Sequence, residues 1–526
     1  MPPIPGPQSY VILLLWPLVI LLLFRKLPFQ QALIWSVVSS YLLLPAAWVV
    51  RIPLPILPAL DKAFVPAAAT LIISTVVLYQ IRARIKTAAR RGQKITATVS
   101  FVRPGLLPRT GIGLGLIILL IGGVFLTVFT NTDERTYGFT ILPGLRINDA
   151  IGTVLDTMVM VVPLLLGRKF LADDDGHKAL LTILAIAALG YSLLALYEVR
   201  MSPQINSMVY GFFPHSFAQH IRPGGFRPLV FLDHGLLLGI FLSCAAIAVA
   251  VLIRMSTGAV RFSYALAFVY LVGVLYLAKT LGAMLIAMLM LPVALLMPVR
   301  LQLIMAALIA GVTLTYPMLR GADLVPVDRI LTVAESLDEA RASSLGFRFY
   351  HEDNLLEKAS ERPVFGWGTW GRWRIHDEDG RDITVSDGEW VITIAQWGWI
   401  GYIGKFGLLC LPLILFTLRQ KRYEIGLATS GLCLVIAANL IDLIPNSSPS
   451  PIIWLAAGAL LGRMERTRSE LSAEVDLLEE DMEFERPVAL RPRGSEQPAA
   501  TLGASDPDAI YSTRHSRFPH RKRRST

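Results

Sequence analysis

The chain is predicted to be an all-α, polytopic helical membrane protein, with about 13 transmembrane helices and one large extracytoplasmic loop. Three observations predict it. First, hydrophobic residues make up 54% of the 526 residues and charged residues only 17%, against about 25% charge in soluble domains; mean hydropathy is +0.56. Second, apolar runs approaching the roughly 20 residues that cross a hydrocarbon core recur along the chain. Third, these runs show no period-two alternation, so helices, not a barrel, satisfy the backbone.

In order, the candidate spans are 10–24, 30–50, 64–81, 111–130, 149–167, 179–198, 229–253, 262–278, 280–297, 301–318, 390–418, 425–444 and 450–462. The first run has no positive charge before it and Arg25-Lys26 after it, which is not the pattern of a cleavable signal peptide. Segment 82–110 carries Arg82, Arg84, Lys86, Arg90, Arg91, Lys94, Arg103 and Arg109, and the positive-inside rule assigns it to the cytoplasm. Alternation then puts Arg25-Lys26, Arg168-Lys169, Arg254, Arg300 and Arg419, Lys421 and Arg422 on the same side. The N-terminus is expected outside and the C-terminus inside. The net charge of +10 is therefore a loop property, and no nucleic-acid partner is expected. Cys244, Cys410 and Cys433 all fall in predicted spans and read as small buried apolar residues.

The organisation that follows is 1–198 as N-terminal transmembrane helices, 199–228 as a first outward loop and 229–318 as further transmembrane helices. A large outward loop occupies 319–389, C-terminal transmembrane helices 390–462, and a polar tail 463–526 that is expected to be disordered and cytoplasmic. The absence of Walker and dinucleotide fingerprints argues against an ATP-driven pump. No cofactor and no metal are expected.

Three constellations carry candidate chemistry. Arg222-Pro223-Gly224-Gly225-Phe226 precedes Arg227 and Asp233-His234. A guanidinium at the membrane boundary suits a phosphate or pyrophosphate, because its planar donors engage two oxygens at once, whereas the bland alternative is an arginine snorkelling to headgroups. Lys279, between two apolar runs, is either an anchor or a second cation for the same anion. The large loop holds Arg341, Arg348, His351, Glu352 and Asp353, then an amphipathic segment, then Pro363-Val364-Phe365-Gly366-Trp367-Gly368. Trp367, Trp370 and Trp373 recur at a spacing of three; they read as interfacial belt residues or as stacking surfaces for sugars. The His376-Asp377-Glu378-Asp379 run reads as solvated acid. Asp387 and Glu389, in Ser386-Asp387-Gly388-Glu389-Trp390, are acids at the membrane surface, and either is a candidate general base toward an acceptor hydroxyl.

The order of these parts resembles the O-antigen ligase and polysaccharide polymerase superfamily, which are C-type membrane glycosyltransferases. Arg222 to Phe226 stands where that family has an Arg-x-x-Gly-Phe-like motif, and Ala278-Lys279-Thr280-Leu281-Gly282-Ala283 where it has Ser-Arg-Gly-Ala. Arg348, the 351–361 segment and Pro363 to Gly368 match its large loop with a Pro-Leu-Phe-Gly-x-Gly turn, and Trp397-Gly398-Trp399-Ile400-Gly401 its Gly-Leu-x-Gly motif. The resemblance covers roughly 200–420, and the family's His-Asn is replaced here by Ser386 to Glu389.

The resemblance implies an inverting, metal-independent transferase that polymerises or ligates a polyprenyl-pyrophosphate-linked oligosaccharide at the outer face of a bacterial inner membrane, in surface or exopolysaccharide biosynthesis. Its partners would be that lipid-linked glycan donor, a glycan or lipid acceptor, membrane lipid, and polysaccharide-export proteins. Arg222, Lys279 and Arg348 would bind pyrophosphate. Gly366, Trp367, Gly368 and Trp370 would shape the loop and meet sugar, and Asp387 or Glu389 would handle the acceptor. Two other readings compete: a transporter or flippase of a lipid-linked anion, for which Asp156 and Asp442 are the mid-span acids, and a non-catalytic partner of an export system.

Overall fold

The structure, a computed structural model, describes residues 6–46, 49–50, 59–91, 102–103, 105–337, 339–385, 387–447 and 449–466. Its helices are α1 (Pro7–Lys26), α2 (Phe29–Leu43), α3 (Phe64–Arg90), α4 (Gly111–Phe129), α5 (Ile147–Phe170), α6 (Asp174–Met201), α7 (Ile205–Tyr210), α8 (Gly235–Met255), α9 (Gly258–Leu277) and α10 (Leu281–Leu296). They continue as α11 (Val299–Gly321), α12 (Val327–Leu337), α13 (Glu339–Ser360), α14 (Glu389–Leu418), α15 (Gln420–Tyr423), α16 (Leu427–Asp442) and α17 (Pro451–Met464). Three antiparallel two-stranded ribbons complete the described chain: β1 (Val49–Val50) with β2 (Leu60–Asp61), β3 (Arg135–Tyr137) with β4 (Thr140–Leu142), and β5 (Ile221–Arg222) with β6 (Gly225–Phe226).

The all-α polytopic architecture is as expected. Each predicted span coincides with one helix: α1 to α6, α8 to α11, α14, α16 and α17. Among the described residues, 9 helices are long and apolar enough to cross a membrane, and α10, α16 and α17 are shorter apolar helices. Leu14, Ile72, Ile118, Val269, Met288 and Leu296 point outward from the bundle, the exposure expected of lipid-facing side chains. α8 is the central helix, with 83% of its apolar window buried, whereas α9 is peripheral at 17%.

Hydrogen bonds sort the helix ends into two groups. At one, here the loop end, Gly6 N–H donates to Tyr210 O at 2.9 Å, Tyr210 Oη donates to Leu43 O, Lys62 pairs with Asp233, and Lys279 reaches Pro223. At the other, the basic end, Arg103 N–H donates to Lys169 O at 2.7 Å, the buried Arg168 and Glu465 pair at 2.5 Å, and Arg463 donates to Glu424 O at 3.1 Å. Arg103 and Arg168-Lys169, from two of the basic runs used to assign orientation, thus meet at one end. The predicted tail beyond Arg466, like Ser386, lies outside the described residues.

The closest helix approach joins α5 and α17. A Cβ added at Gly458 would stand 1.9 Å from Leu164 O, and one at Gly462 2.4 Å from Arg168 O. This is the small-xxx-small contact by which membrane helices bring backbones together. Gly458→Leu should therefore separate the two helices and destabilise the bundle by about 3 kcal/mol. Lower thermal midpoint and loss of a monodisperse gel-filtration peak in detergent would record it, and an unchanged midpoint would contradict the contact.

Two predicted spans differ in detail. The run from residue 229 contributes no helix until Gly235, because Leu229 and Val230 donate their N–H groups to Glu198 Oε2 at 2.9 and 2.7 Å. Glu198, fully buried, also accepts Ile205 N–H at 3.0 Å, so one carboxylate ties together both sides of the first loop. Asp233 and His234 consequently lie before the span and not within it. The second difference is α14, read as one span but broken at Gly398, whose φ of 61° and ψ of −166° are not helical.

Candidate functional site

The broken helix organises the loop end. A break leaves the last carbonyls of one half and the first N–H groups of the other without helical partners. The turn Pro363–Gly368 supplies them. Trp367 and Gly368 donate their N–H groups to Ala395 O and Gln396 O at 2.9 and 2.8 Å, and Trp399 and Ile400 donate to Pro363 O and Val364 O at 2.8 and 3.3 Å. The two glycine motifs that stand some 30 residues apart in sequence are therefore two halves of one hydrogen-bonded joint. Gly366 and Gly368 adopt φ of 69° and 78°, the left-handed region, and both are packed where a Cβ would clash.

The remainder of the loop is fastened to the α4–α5 connection. Thr127 Oγ1 donates to Phe365 O at 2.6 Å, Asn131 Nδ2 donates to Gly366 O at 3.0 Å, and Arg362 donates to Asn131 Oδ1 at 2.7 Å. Asp133 pairs with Arg135, Arg362 and the fully buried Arg372. Burial works against its charge, but its own backbone N–H and these three guanidiniums hold its carboxyl below the ordinary range. The acidic run likewise docks: His376 stacks on Tyr137 and Phe139 N–H donates to Asp379 O.

The tryptophans divide. Trp367 is 2% exposed, donates Nε1 to Lys358 O at 2.8 Å, and has Lys358 Nζ at 3.9 Å and Arg362 at 4.5 Å from its ring. Its faces are covered, whereas Trp370, the other tryptophan expected to meet sugar, is 63% exposed and held by a 2.8 Å hydrogen bond to Asp149 Oδ1.

Of the predicted cations, Lys279 meets the hairpin that carries Arg222. β5 and β6 form a tight hairpin in which Arg222 opposes Gly225, and Lys279, in the bend between α9 and α10 with φ 55°, donates Nζ to Pro223 O in its turn at 2.8 Å. Arg222 Nε and Arg227 Nε have no hydrogen-bond partner among the described residues. Burial, then the charges of Arg222 and Arg348, bring the Arg227 guanidinium down to about 10. Arg348, on α13, thus stands within electrostatic reach of the hairpin arginines, and Arg227 joins Arg222, Lys279 and Arg348 as a fourth cation.

The predicted acids separate. Asp387 pairs with Arg348 at 3.1 Å, and Arg348 also donates to Pro445 O at 3.2 Å, so these two residues, expected in different roles, form one unit. Glu389 turns away: it is 7% exposed and pairs with Lys405, which the break in α14 folds back toward it. The pair borders a cavity of about 330 Å³ that Lys62, Thr70, Asp156 and Trp454 also line. Lys405 is legible as a lone charge within a predicted span. Asp442, the other mid-span acid, sits at the end of α16 and accepts from Asn446 Nδ2 at 2.7 Å.

A further acid, Glu352 on α13, is 6% exposed, and its Oε2 has no hydrogen-bond partner among the described residues. Burial raises its carboxyl to about 7, with Arg320 and Arg348 pulling down and Asp353 and Asp387 pushing up. A buried acid near neutrality, close to Arg348 and Asp387, is suited to proton transfer. Sequence pattern alone marks it only as one charge among several. Close to the hairpin, His215, His220 and His234 bring their ligand nitrogens within 4.8 Å of one another. No family model matches the chain, and no curated protein matches it.

Proposed function

We propose that this chain is a membrane glycosyltransferase that polymerises or ligates a polyprenyl-pyrophosphate-linked oligosaccharide, working at its loop end. The observation that carries this reading is the gathering of Arg222, Arg227, Lys279 and Arg348 beside two carboxyls, Asp387 and Glu352. Four cations from three segments suit one pyrophosphate dianion at a membrane boundary. In the step proposed, an acceptor hydroxyl oxygen attacks the anomeric carbon, the bond from that carbon to the pyrophosphate oxygen breaks, and the configuration inverts. The polyprenyl pyrophosphate leaves as an anion held by the cations. The hydroxyl proton passes to Glu352, which replaces Glu389 as the preferred base, with Asp387 orienting through Arg348. The membrane would be the bacterial inner membrane, the loop end facing outward and the C-terminus cytoplasmic, with glycan or lipid as acceptor and export proteins as neighbours.

The decisive assay supplies purified protein in nanodiscs with a polyprenyl-pyrophosphate oligosaccharide and an acceptor glycan. Longer or transferred glycan supports the enzyme. Glu352 faces Tyr316, Arg320, Arg348, Asp353 and Asp387. Its basic form accumulates as pH rises through about 7, so the rate should climb about tenfold from pH 6 to pH 8. Glu352→Gln should remove that rise, and an unchanged profile in the variant would overturn the assignment.

A second reading has one observation in its favour. A discontinuous helix with the Glu389–Lys405 pair beside an open cavity is an arrangement that transporters use to bind substrates within the membrane. Movement of the lipid-linked glycan across vesicles without any glycosidic bond formed would favour it over the transferase. Neither product nor movement would leave the export-system partner.

A further inference from the structure

We propose that His215, His220 and His234 form a binding site for a divalent transition metal of the zinc class. The sequence reading expects no metal. Folding brings the three histidines together: ring centroids of His215 and His234 are 4.6 Å apart, and those of His220 and His234 5.2 Å. Their ligand atoms span at most 4.8 Å. Metal–nitrogen bonds of 2.0–2.1 Å in a tetrahedron set a nitrogen–nitrogen separation of about 3.4 Å, so small ring rotations close the site.

The hydrogen bonds fix which nitrogens are presented. His220 Nδ1 lies 3.0 Å from Arg227 O. A carbonyl only accepts, so Nδ1 carries the proton and Nε2 keeps its lone pair. That Nε2 is buried, on a fully buried residue, and has no hydrogen-bond partner among the described residues. A backbone carbonyl holding one nitrogen while the other is left without a hydrogen-bond partner is the pattern of metal-ligating histidines. His234 has both ring nitrogens engaged. Its Nε2 lies 3.3 Å from Gln219 Oε1 and its Nδ1 accepts Leu236 N–H at 3.1 Å, so a metal would displace that N–H from Nδ1. His215 is exposed and completes the set from the solvent side.

The imidazole ligands select the metal. Arg222 and Arg227 act electrostatically on both His220 and His234, and the three ligands are neutral. Hard, oxygen-seeking cations such as Mg²⁺ or Ca²⁺ gain little there, whereas Zn²⁺ and Co²⁺ bond strongly to imidazole. With three ligands from the protein, the fourth position would take water or an anion.

The test uses the full chain purified in detergent without a histidine tag. Titration with Zn²⁺ should show about one equivalent bound per chain, and Co²⁺ should give the intense visible bands of tetrahedral coordination. His220→Ala and, separately, the exposed His215→Ala should each weaken binding at least about tenfold, and Gln219→Ala by about tenfold through its hold on His234. Size exclusion and thermal midpoint verify that each variant is folded, with His215→Ala, on the surface, as the variant least able to disturb the fold. Stoichiometric binding that persists in the His215→Ala and Gln219→Ala variants, or no binding by the unsubstituted chain above that of the triple alanine variant, would overturn the proposal.

Discussion

Arg222→Ala and Arg348→Ala should each lower glycan transfer by about 100-fold or more while leaving the chain folded in membranes. The two act on the same charge from different elements. Arg222 belongs to the β5–β6 hairpin and has an unpartnered Nε. Its loss removes a cation from the group and leaves the hairpin held by Lys279 through Pro223 O. Arg348 pairs with Asp387 and spans to Pro445 O, so its loss also leaves Asp387 and Glu352 close together without the cation between their fields. Two readouts separate these effects. Arg348→Lys keeps charge but loses the planar fork, and should recover less than a tenth of the rate if geometry matters. Asp387→Asn should disturb the pairing with little effect on pyrophosphate binding. Product formation retained in both alanine variants would refute the cation group as the donor site.

Gly366→Val should abolish folding of the loop end. At φ 69° a residue bearing a Cβ costs about 1–2 kcal/mol from backbone strain alone. The added Cβ would also stand 2.5 Å from Gln396 C and O and 2.6 Å from Gly398 N, all backbone atoms that cannot rotate away. The turn would be driven off the broken helix, and the four hydrogen bonds that satisfy Ala395, Gln396, Trp399 and Ile400 would be lost together. Buried orphan backbone groups each cost about 1–3 kcal/mol, so no stable monodisperse protein is expected. Gly371→Ala is the control: its φ is also positive, but its Cβ meets nothing closer than Arg374 Cδ at 3.8 Å. Recovery of the Gly366 variant at parental yield and thermal midpoint would show that the joint contributes little.

Much of the loop's polar character proves structural. Two of the loop's arginines, Arg362 and Arg372, anchor it to the α4–α5 connection through Asp133 and Asn131, and Trp367 is packed under Lys358 and Arg362. The arginines' partners lie more than 200 residues upstream in the chain, and nothing in a local window reports that distance. The glycine motifs were visible as motifs, but their mutual hydrogen bonding was not, because a run of apolar residues looks the same whether its helix is continuous or interrupted. Arg222 and Lys279 were legible as cations placed at span ends, and the bend at Lys279 brings them together.

Local composition is enough to give the class of molecule, an all-α membrane protein in which each predicted span coincides with a helix. Each stretch of about 20 residues meets the membrane by its own hydropathy. Which charges meet is set by the folded chain. Asp387 takes Arg348, Glu389 takes Lys405 across the break in α14, and three histidines from one loop face each other. The reason is that side-chain pairing depends on where a few backbone turns aim the chain, and those turns are stabilised by hydrogen bonds between segments far apart in sequence.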